Sequence, residues 1–126
     1  MNKLINFKSY IMMMLSLFVI SCSSDDEVVD INSIPVAQNL TMTVEDGAAT
    51  EMEFVATDAD YDALTFSIVD SPSLGTITIN GNKGTYTPNE NADGTDSFTY
   101  KANDGTMDSN VATVTVNVNG DFVLAG

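Results

Sequence analysis

The sequence predicts an all-β protein: a sandwich of seven short strands, preceded by an export signal and a flexible acidic tether. From residue 35 onward, apolar and polar residues alternate with the period of two that turns one face of a strand to a core. Clusters of Gly, Asn, Asp and Pro interrupt this alternation at short intervals, as turns do between neighbouring strands. No long segment carries the 3.6-residue period of an amphipathic helix.

Residues 1–21 are predicted to be an export signal. Lys3 and Lys8 give a positive start, and Ile11 to Ile20 form an apolar run of ten residues. A spanning helix needs about 20 apolar residues, so this run is too short to remain in a membrane. The run ends in the sequence Val-Ile-Ser-Cys, which resembles the lipobox of bacterial lipoproteins. That resemblance implies that Cys22 carries a thioether-linked diacylglycerol; the alternative is an ordinary signal peptide with an incidental cysteine.

Residues 22–34 are predicted to be the lipidated cysteine and an acidic tether. The segment Ser23 to Glu27 is similar to the signal that sends lipoproteins to the outer face of the outer membrane in some Gram-negative bacteria. The alternative is a flexible acidic linker without a sorting role. The expected location is therefore the cell envelope, with a lipid-anchored protein exposed on the outer membrane. Because Cys22 is the only cysteine, the fold has no internal disulfide.

Residues 35–118 are predicted to form the sandwich, and residues 119–126 a C-terminal tail. Seven sets of alternating residues predict its strands, and the two apolar faces would close a core about 10 Å thick. The strands were expected to be antiparallel, with Tyr86 and Tyr100 facing inward. The alternating sets lie at 40–45, 51–56, 64–69, 77–79, 85–87, 98–102 and 112–118.

The connections carry turn chemistry. Asn80 to Gly84 predicts a hairpin, because Asn and Gly accept positive φ. Asp104-Gly105 turns the last hairpin, and Pro88 to Thr95 is a longer polar loop. Asp58 to Asp62 is an acidic loop after the second strand. It opens like an EF-hand, but Ala63 and Val69 stand where that motif needs Gly and Glu, which excludes an EF-hand.

The order of short motifs along residues 35–118 resembles the bacterial cadherin-like (immunoglobulin-like) repeat of tandem surface adhesins. The motifs include an opening Pro-Val-Ala-Gln-Asn, an Ala-Thr-Asp-Ala-Asp loop, a Thr-Tyr-Thr-Pro-Asn strand end, and a closing Asn-Asp-Gly hairpin. The resemblance implies an immunoglobulin-like sandwich. It also implies a calcium site at one end of the domain, where the second-to-third-strand loop meets the last hairpin.

The calcium ligands implied by this resemblance are Asp58, Asp60 and Asp104, with Asp62 and Asn103 as additional donors. Calcium takes six to eight oxygen ligands, so carbonyls and water would complete the shell. In the family some ligands come from a preceding linker, for which only the tether could substitute. The alternative is a solvated turn in which Asp favours local hydrogen bonds to the backbone.

Composition argues against several functions. The chain has no His and no Arg, which removes the commonest general base and the residue best suited to bind phosphate. Asp93 and Asp96 are a carboxylate pair, but the sequence predicts that they lie in a loop of ordinary turn composition, with no insertion that would form a cleft. Two lysines against 18 acids leave the chain after residue 22 with a charge of −16, which repels nucleic acid.

The predicted function is therefore that of a non-enzymatic surface lipoprotein. Its single module would serve adhesion or interaction with an unknown protein or glycan partner, stiffened by calcium, while lipid on Cys22 holds it to the membrane. One alternative is a carbohydrate-binding or accessory lipoprotein of a larger envelope complex. The other is a truncated fragment of a multidomain adhesin, because the sequence ends eight residues after Val118.

Overall fold

The structure is a computed structural model that describes residues 29–45 and 47–120. The predicted export signal, Cys22, the first part of the tether and residues 121–126 of the predicted tail lie outside the described residues. The chain divides into two compact units, Met1–Asn32 and Ser33–Gly126. Within the described part, no helix has the length and apolar character that crossing a membrane requires.

The second unit is all-β, as predicted, and contains nine described strands rather than seven. Every core residue also belongs to this unit, so a chain starting at residue 23 keeps the complete core. The strands are β1 (Val36–Ala37), β2 (Leu40–Glu45), β3 (Thr50–Glu53), β4 (Ala56–Thr57), β5 (Thr65–Asp70), β6 (Gly75–Asn80), β7 (Lys83–Pro88), β8 (Gly94–Asn103) and β9 (Ala112–Asn119).

Seven of the strands form two facing sheets. The four-stranded sheet has the order β2-β9-β8-β5, and the three-stranded sheet has the order β3-β7-β6. The expectation of purely antiparallel strands was wrong at one pair, because β2 runs parallel to β9. Parallel neighbours need a long crossover between them, and here most of the domain lies between the first long strand and the last.

The two additional strands arise because the predicted second strand changes partner midway. β3 pairs with β7, whereas β4 pairs with β1 in a separate two-stranded ribbon. At the break, Phe54 N donates to Asn82 O at 2.9 Å, and Val55 O accepts from Gln38 N at 2.9 Å. One alternating run of residues therefore becomes two strands, and these two backbone hydrogen bonds hold the crossing.

The core lies between the two sheets and follows the predicted phase. Tyr86 and Tyr100 are fully buried, as expected from their inward positions. The Phe54 ring centroid lies 4.7 Å from that of Tyr100 and 5.5 Å from that of Phe66, which joins the two sheets. The Tyr100 hydroxyl also lies between the carbonyl oxygens of Gln38 and Val55, so the ring ties β8 to the segments beside β1 and β4.

One buried carboxylate connects three parts of the sandwich. Asp96 was predicted to lie in a loop, but it belongs to β8 and is only 5% exposed. Its Oδ2 accepts from the Tyr86 hydroxyl and from Leu74 N, both at 2.7 Å. Its Oδ1 accepts from Ser73 N at 3.0 Å and Ser97 N at 2.8 Å. Asp96 is therefore a structural group that holds the β5–β6 connection, and its oxygens are already occupied.

Candidate functional site

The acidic loop between β4 and β5 gathers three carboxylates. One oxygen from each of Asp58, Asp60 and Asp62 lies within 4.8 Å of the other two, and all three side chains are partly buried. At this separation an ionised pair repels by roughly 3 kcal/mol at an effective dielectric of about 20. Such a group is stabilised when a cation lies between its oxygens.

Asp58 organises the loop through one of its two oxygens. Its Oδ1 accepts from Asp60 N at 2.8 Å and from Asp62 N at 3.3 Å, while its backbone O accepts from Tyr61 N at 3.1 Å. These bonds turn the chain so that the next two acids lie beside the first. Tyr61, at the turn, has φ of 61°, which a residue with a Cβ adopts only at a cost.

The second oxygen of Asp58 is the notable atom of the site. Asp58 Oδ2 is buried and has no hydrogen-bond partner, and it is the single side-chain atom of this kind in the described part of the chain. A buried polar atom without a partner costs about 1–3 kcal/mol. A bound cation would give this oxygen the partner that it lacks. Hard cations such as Ca²⁺ prefer oxygen ligands, including carboxylates.

The chain entering the domain contacts the same loop. Ser33 N donates to Asp60 Oδ2 at 2.6 Å. This bond links the first residue of the domain to the loop that follows β4. The sequence carried no signal for this bond, because the two residues are 27 positions apart and the donor is a backbone group.

The structure places Asp104 and Asn103 at the same end of the sandwich. The β5–β8 register pairs Thr65 with Asn103, so the start of β5 lies beside the end of β8. Asp104 Oδ1 accepts from Thr106 N at 2.8 Å and Met107 N at 2.7 Å, which closes the turn of the last hairpin. The group of three acids contains Asp62 rather than Asp104, and ligation by Asp104 stays a prediction.

Asn103 has a similar local role. Its side-chain oxygen accepts from Gly105 N at 2.6 Å, and its amide donates to Asp108 Oδ1 at 2.7 Å. Hydrogen bonds from Lys101 and from this amide hold the pKa of Asp108 below its usual range. The side chain of Asn103 therefore makes hydrogen bonds within the last hairpin. Its backbone carbonyl oxygen lies 3.4 Å from the Thr65 hydroxyl, on the side of β5.

Both lysines of the described domain are paired with carboxylates elsewhere. Lys83 Nζ lies 3.5 Å from Glu51 Oε1, and Lys101 Nζ lies 2.7 Å from Asp108 Oδ2. These two ion pairs lie outside the Asp58–Asp60–Asp62 group. A shallow depression lined by Ala56, Leu64 and Tyr61 lies beside the group, and the Tyr61 ring is 84% exposed there.

Solved structures share this fold. The endo-fucoidan hydrolase MfFcnA4 from glycoside hydrolase family 107 aligns with a TM-score of 0.58 and 21% identity, over 79% of this chain and 15% of that chain. The endo-fucoidan hydrolase MfFcnA9 of the same family aligns with a TM-score of 0.50 and 18% identity, over 76% of this chain and 17% of that chain. This chain therefore corresponds to a small part of those enzymes. No curated protein matches the chain.

The sequence also matches a family model. The model is that of a bacterial Ig domain, and the match covers residues 32–117, which is more than half of the chain. Its bounds agree with the described strands, which run from Val36 to Asn119. The match confirms the predicted resemblance and the immunoglobulin-like sandwich. The chain belongs to the bacterial Ig domain family.

Proposed function

We propose that this protein is a non-enzymatic, lipid-anchored surface module, whose Ig-like domain mediates adhesion or interaction with a protein or glycan partner. The apolar run and the lipobox-like sequence before Cys22 support anchoring in the cell envelope, with display on the outer membrane. The family supports a role in interaction, and the absence of His from the sequence argues against most acid–base catalysis.

The same proposal assigns calcium to the acidic loop, held by Asp58, Asp60 and Asp62 and assisted by Asp104 and carbonyl oxygens. The observation that carries it is Asp58 Oδ2, a buried oxygen without a hydrogen bond, within a group of three carboxylates. Bound calcium would cancel the repulsion among the acids and stiffen the loop between β4 and β5. Affinity in the range of extracellular modules, about 10⁻⁴–10⁻³ M, is expected.

A thermal melt of residues 23–126 with calcium and then with chelator tests the assignment. Calcium at about 100 times its dissociation constant should add about 2.7 kcal/mol, which for a domain of this size is roughly 10–20 °C in the midpoint. Asp58→Asn with Asp60→Asn should abolish the shift. Glu90→Gln is the matched control, because Glu90 is exposed and lies outside the loop. An equal midpoint in calcium and chelator would refute the assignment.

A second candidate is carbohydrate binding, as an accessory lipoprotein of a larger complex. The exposed Tyr61 ring beside the acidic loop favours it, because aromatic rings stack on sugars, and similar folds occur within enzymes named as fucoidan hydrolases. Affinity electrophoresis on fucoidan, comparing the wild type with Tyr61→Ala, separates this candidate from a module that binds protein alone.

A further inference from the structure

The open edge of the three-stranded sheet is formed by β6. Its sequence is Gly-Thr-Ile-Thr-Ile-Asn, without charge, without Pro and with β-branched residues at four of six positions. β6 pairs with β7 on one side, and no described strand pairs with it on the other. A long uncharged edge of this composition is a template for pairing with another strand.

The backbone groups that face outward can be assigned from the hairpin. A two-residue turn joins β6 to β7, and Asn80 pairs with Lys83 at its base. Bonded and non-bonded pairs alternate in an antiparallel ladder, and Asn89 N donates to Leu74 O at the far end. The N–H and C=O groups of Ile77 and Ile79 therefore point away from β7. No hydrogen bond outside the β6–β7 ladder involves Gly75–Asn80 in the described part of the chain.

The other three edges of the two facing sheets carry the features that prevent such pairing. β3 holds Glu51 and Glu53, and β2 ends in Glu45. β5 ends in Asp70 and has a register shift between Ile68 and Asp70. Charges and bulges on edge strands block association with a neighbouring sheet. β6 alone among the four edges has neither.

The side-chain pattern of β6 is complementary to itself. Thr76 and Thr78 are exposed on the outer face, and Ile77 and Ile79 are partly buried toward the core. Because this alternation reads the same in both directions, an antiparallel copy would set Thr beside Thr and Ile beside Ile. The copy would also cover the exposed part of both isoleucines.

The charge of −16 on the chain after residue 22 does not prevent this contact. The nearest acids within the sheet, on β3, lie two strand spacings from β6, or about 10 Å. Across a paired edge, β3 and its counterpart would be about 24 Å apart. The Debye length at physiological ionic strength is about 8 Å, so most of their repulsion is screened. Asp70, on the adjacent edge, is bonded to the Thr99 hydroxyl at 3.0 Å.

We infer that β6 is a self-association edge, at which a second copy of this chain pairs antiparallel to form one continuous six-stranded sheet. The inference is independent of the calcium site, which lies on the loop between β4 and β5. It makes the domain a homotypic contact module, able to join copies on one surface.

Sedimentation equilibrium of residues 23–126 tests the inference, at concentrations up to about 1 mM and at low and high salt. The expected result is a dimer whose dissociation constant falls as salt rises. Thr76→Lys with Thr78→Lys should raise that constant about tenfold or more, since like charges then oppose each other across the new pair. Thr85→Lys with Thr87→Lys is the matched control, with the same charge change in the same rows of the central strand β7.

Two results would overturn the inference. A wild-type monomer at every concentration and salt level would exclude the second copy and leave the edge to a strand from a different protein. Equal weakening by both pairs of lysines would place the contact on the sheet face rather than on its edge. A cooperative thermal melt of each variant shows that it is folded.

Discussion

At the scale of single residues, Asp96 connects segments of this sandwich that are distant in sequence, as a disulfide would. The chain has one cysteine and therefore no internal disulfide. Asp96, on β8, instead accepts hydrogen bonds from Ser73 and Leu74 in the β5–β6 loop and from Tyr86 on β7. Hydrogen bonds to a charged acceptor are stronger than those to a neutral one. Several such bonds offset the free-energy cost of burying the Asp96 carboxylate.

Stability should fall in acid because of Asp96. Burial tends to raise the pKa of Asp96, but hydrogen bonds, led by that from Ser73 N, hold it below the usual value of 3.8. A carboxyl with a lowered folded-state pKa contributes stability above its unfolded pKa and loses it as pH falls through the folded pKa. The free energy of unfolding from urea melts should therefore decrease below about pH 4. Asp96→Asn should flatten this acid limb.

At neutral pH, Asp96→Asn should cost about 3 kcal/mol or more, because it leaves buried donors poorly matched. Tyr86→Phe removes one of those donors and should cost about 1–2 kcal/mol. Burial and the bond to Asp96 raise the pKa of the Tyr86 hydroxyl above its usual range, so it stays a donor at every pH of these melts. An Asp96→Asn variant as stable as the wild type would contradict this account.

In the absence of calcium, Asp58→Asn and Asp58→Ala should change the free energy of unfolding in opposite directions. Asp58→Asn keeps the Oδ1 acceptor for Asp60 N and removes one charge from the acidic group, so it should stabilise the chelated domain by about 1 kcal/mol. Asp58→Ala removes the acceptor and should destabilise it by about 1 kcal/mol. Urea melts in chelator measure both. If both variants change stability equally, the loop is held by other contacts.

At the scale of elements, the β6–β7 hairpin is shaped by two glycines with different tasks. Gly81, at the turn, has φ of 67°, which glycine adopts without strain. Gly84 lies under the Phe54 ring, where a Cβ would come within 2.7 Å of Cζ. Gly81 is needed for the backbone conformation of the turn. Gly84 is needed because Phe54, between β3 and β4, packs directly against β7 at this position.

Gly84→Ala should destabilise the domain by about 1–3 kcal/mol, as overpacking of a tight core site does. The added methyl forces Phe54 away from Tyr100, with which its ring is in contact. Thr87→Ala is the control on the same strand, because Thr87 is exposed and should change stability little. Thermal melts compare the two. A Gly84→Ala variant as stable as Thr87→Ala would show that Phe54 relaxes freely.

At the scale of the whole molecule, one small unit holds all of the described structure from Ser33 to Gly120. A domain of this size is only marginally stable without a staple. Two additions would strengthen it under the proposals made above. Calcium would bind in the loop after β4, and a second copy of the chain would extend the three-stranded sheet at β6.

The proposed lipid anchor gives a prediction for the intact protein. Wild-type full chain, expressed in a Gram-negative host, should fractionate with membranes, and mass spectrometry should find a diacylglycerol on Cys22. Cys22→Ser should release the protein to the soluble fraction, because the variant lacks the thiol that carries the diacylglycerol, and the acyl chains supply the membrane affinity. Ser23→Ala is the neighbouring control and should keep the anchor. An unmodified Cys22 in a membrane-free protein would indicate an ordinary signal peptide.

Much of the domain was predictable because it depends on near neighbours in sequence. The period of two placed Tyr86 and Tyr100 in the core, and Asn-Gly chemistry placed the β6–β7 hairpin. The Asp-x-Asp-x-Asp spacing marked the acidic loop, in which Asp62 lies close to Asp58 and Asp60. Asp104 could be placed at the same end of the domain only through the resemblance, and its hydrogen bonds within the hairpin were not foreseen.

The sequence by itself determined the fold class, the inward side chains and the acidic loop, because these depend on local periodicity, turn chemistry and composition. Tertiary structure alone decided the parallel pairing of β2 with β9, the change of partner at Phe54 and the burial of Asp96. It also decided that β6 is left open. Strand partners are chosen by contacts between residues distant in sequence, and alternation shows which face of a strand is buried but not which strand lies beside it.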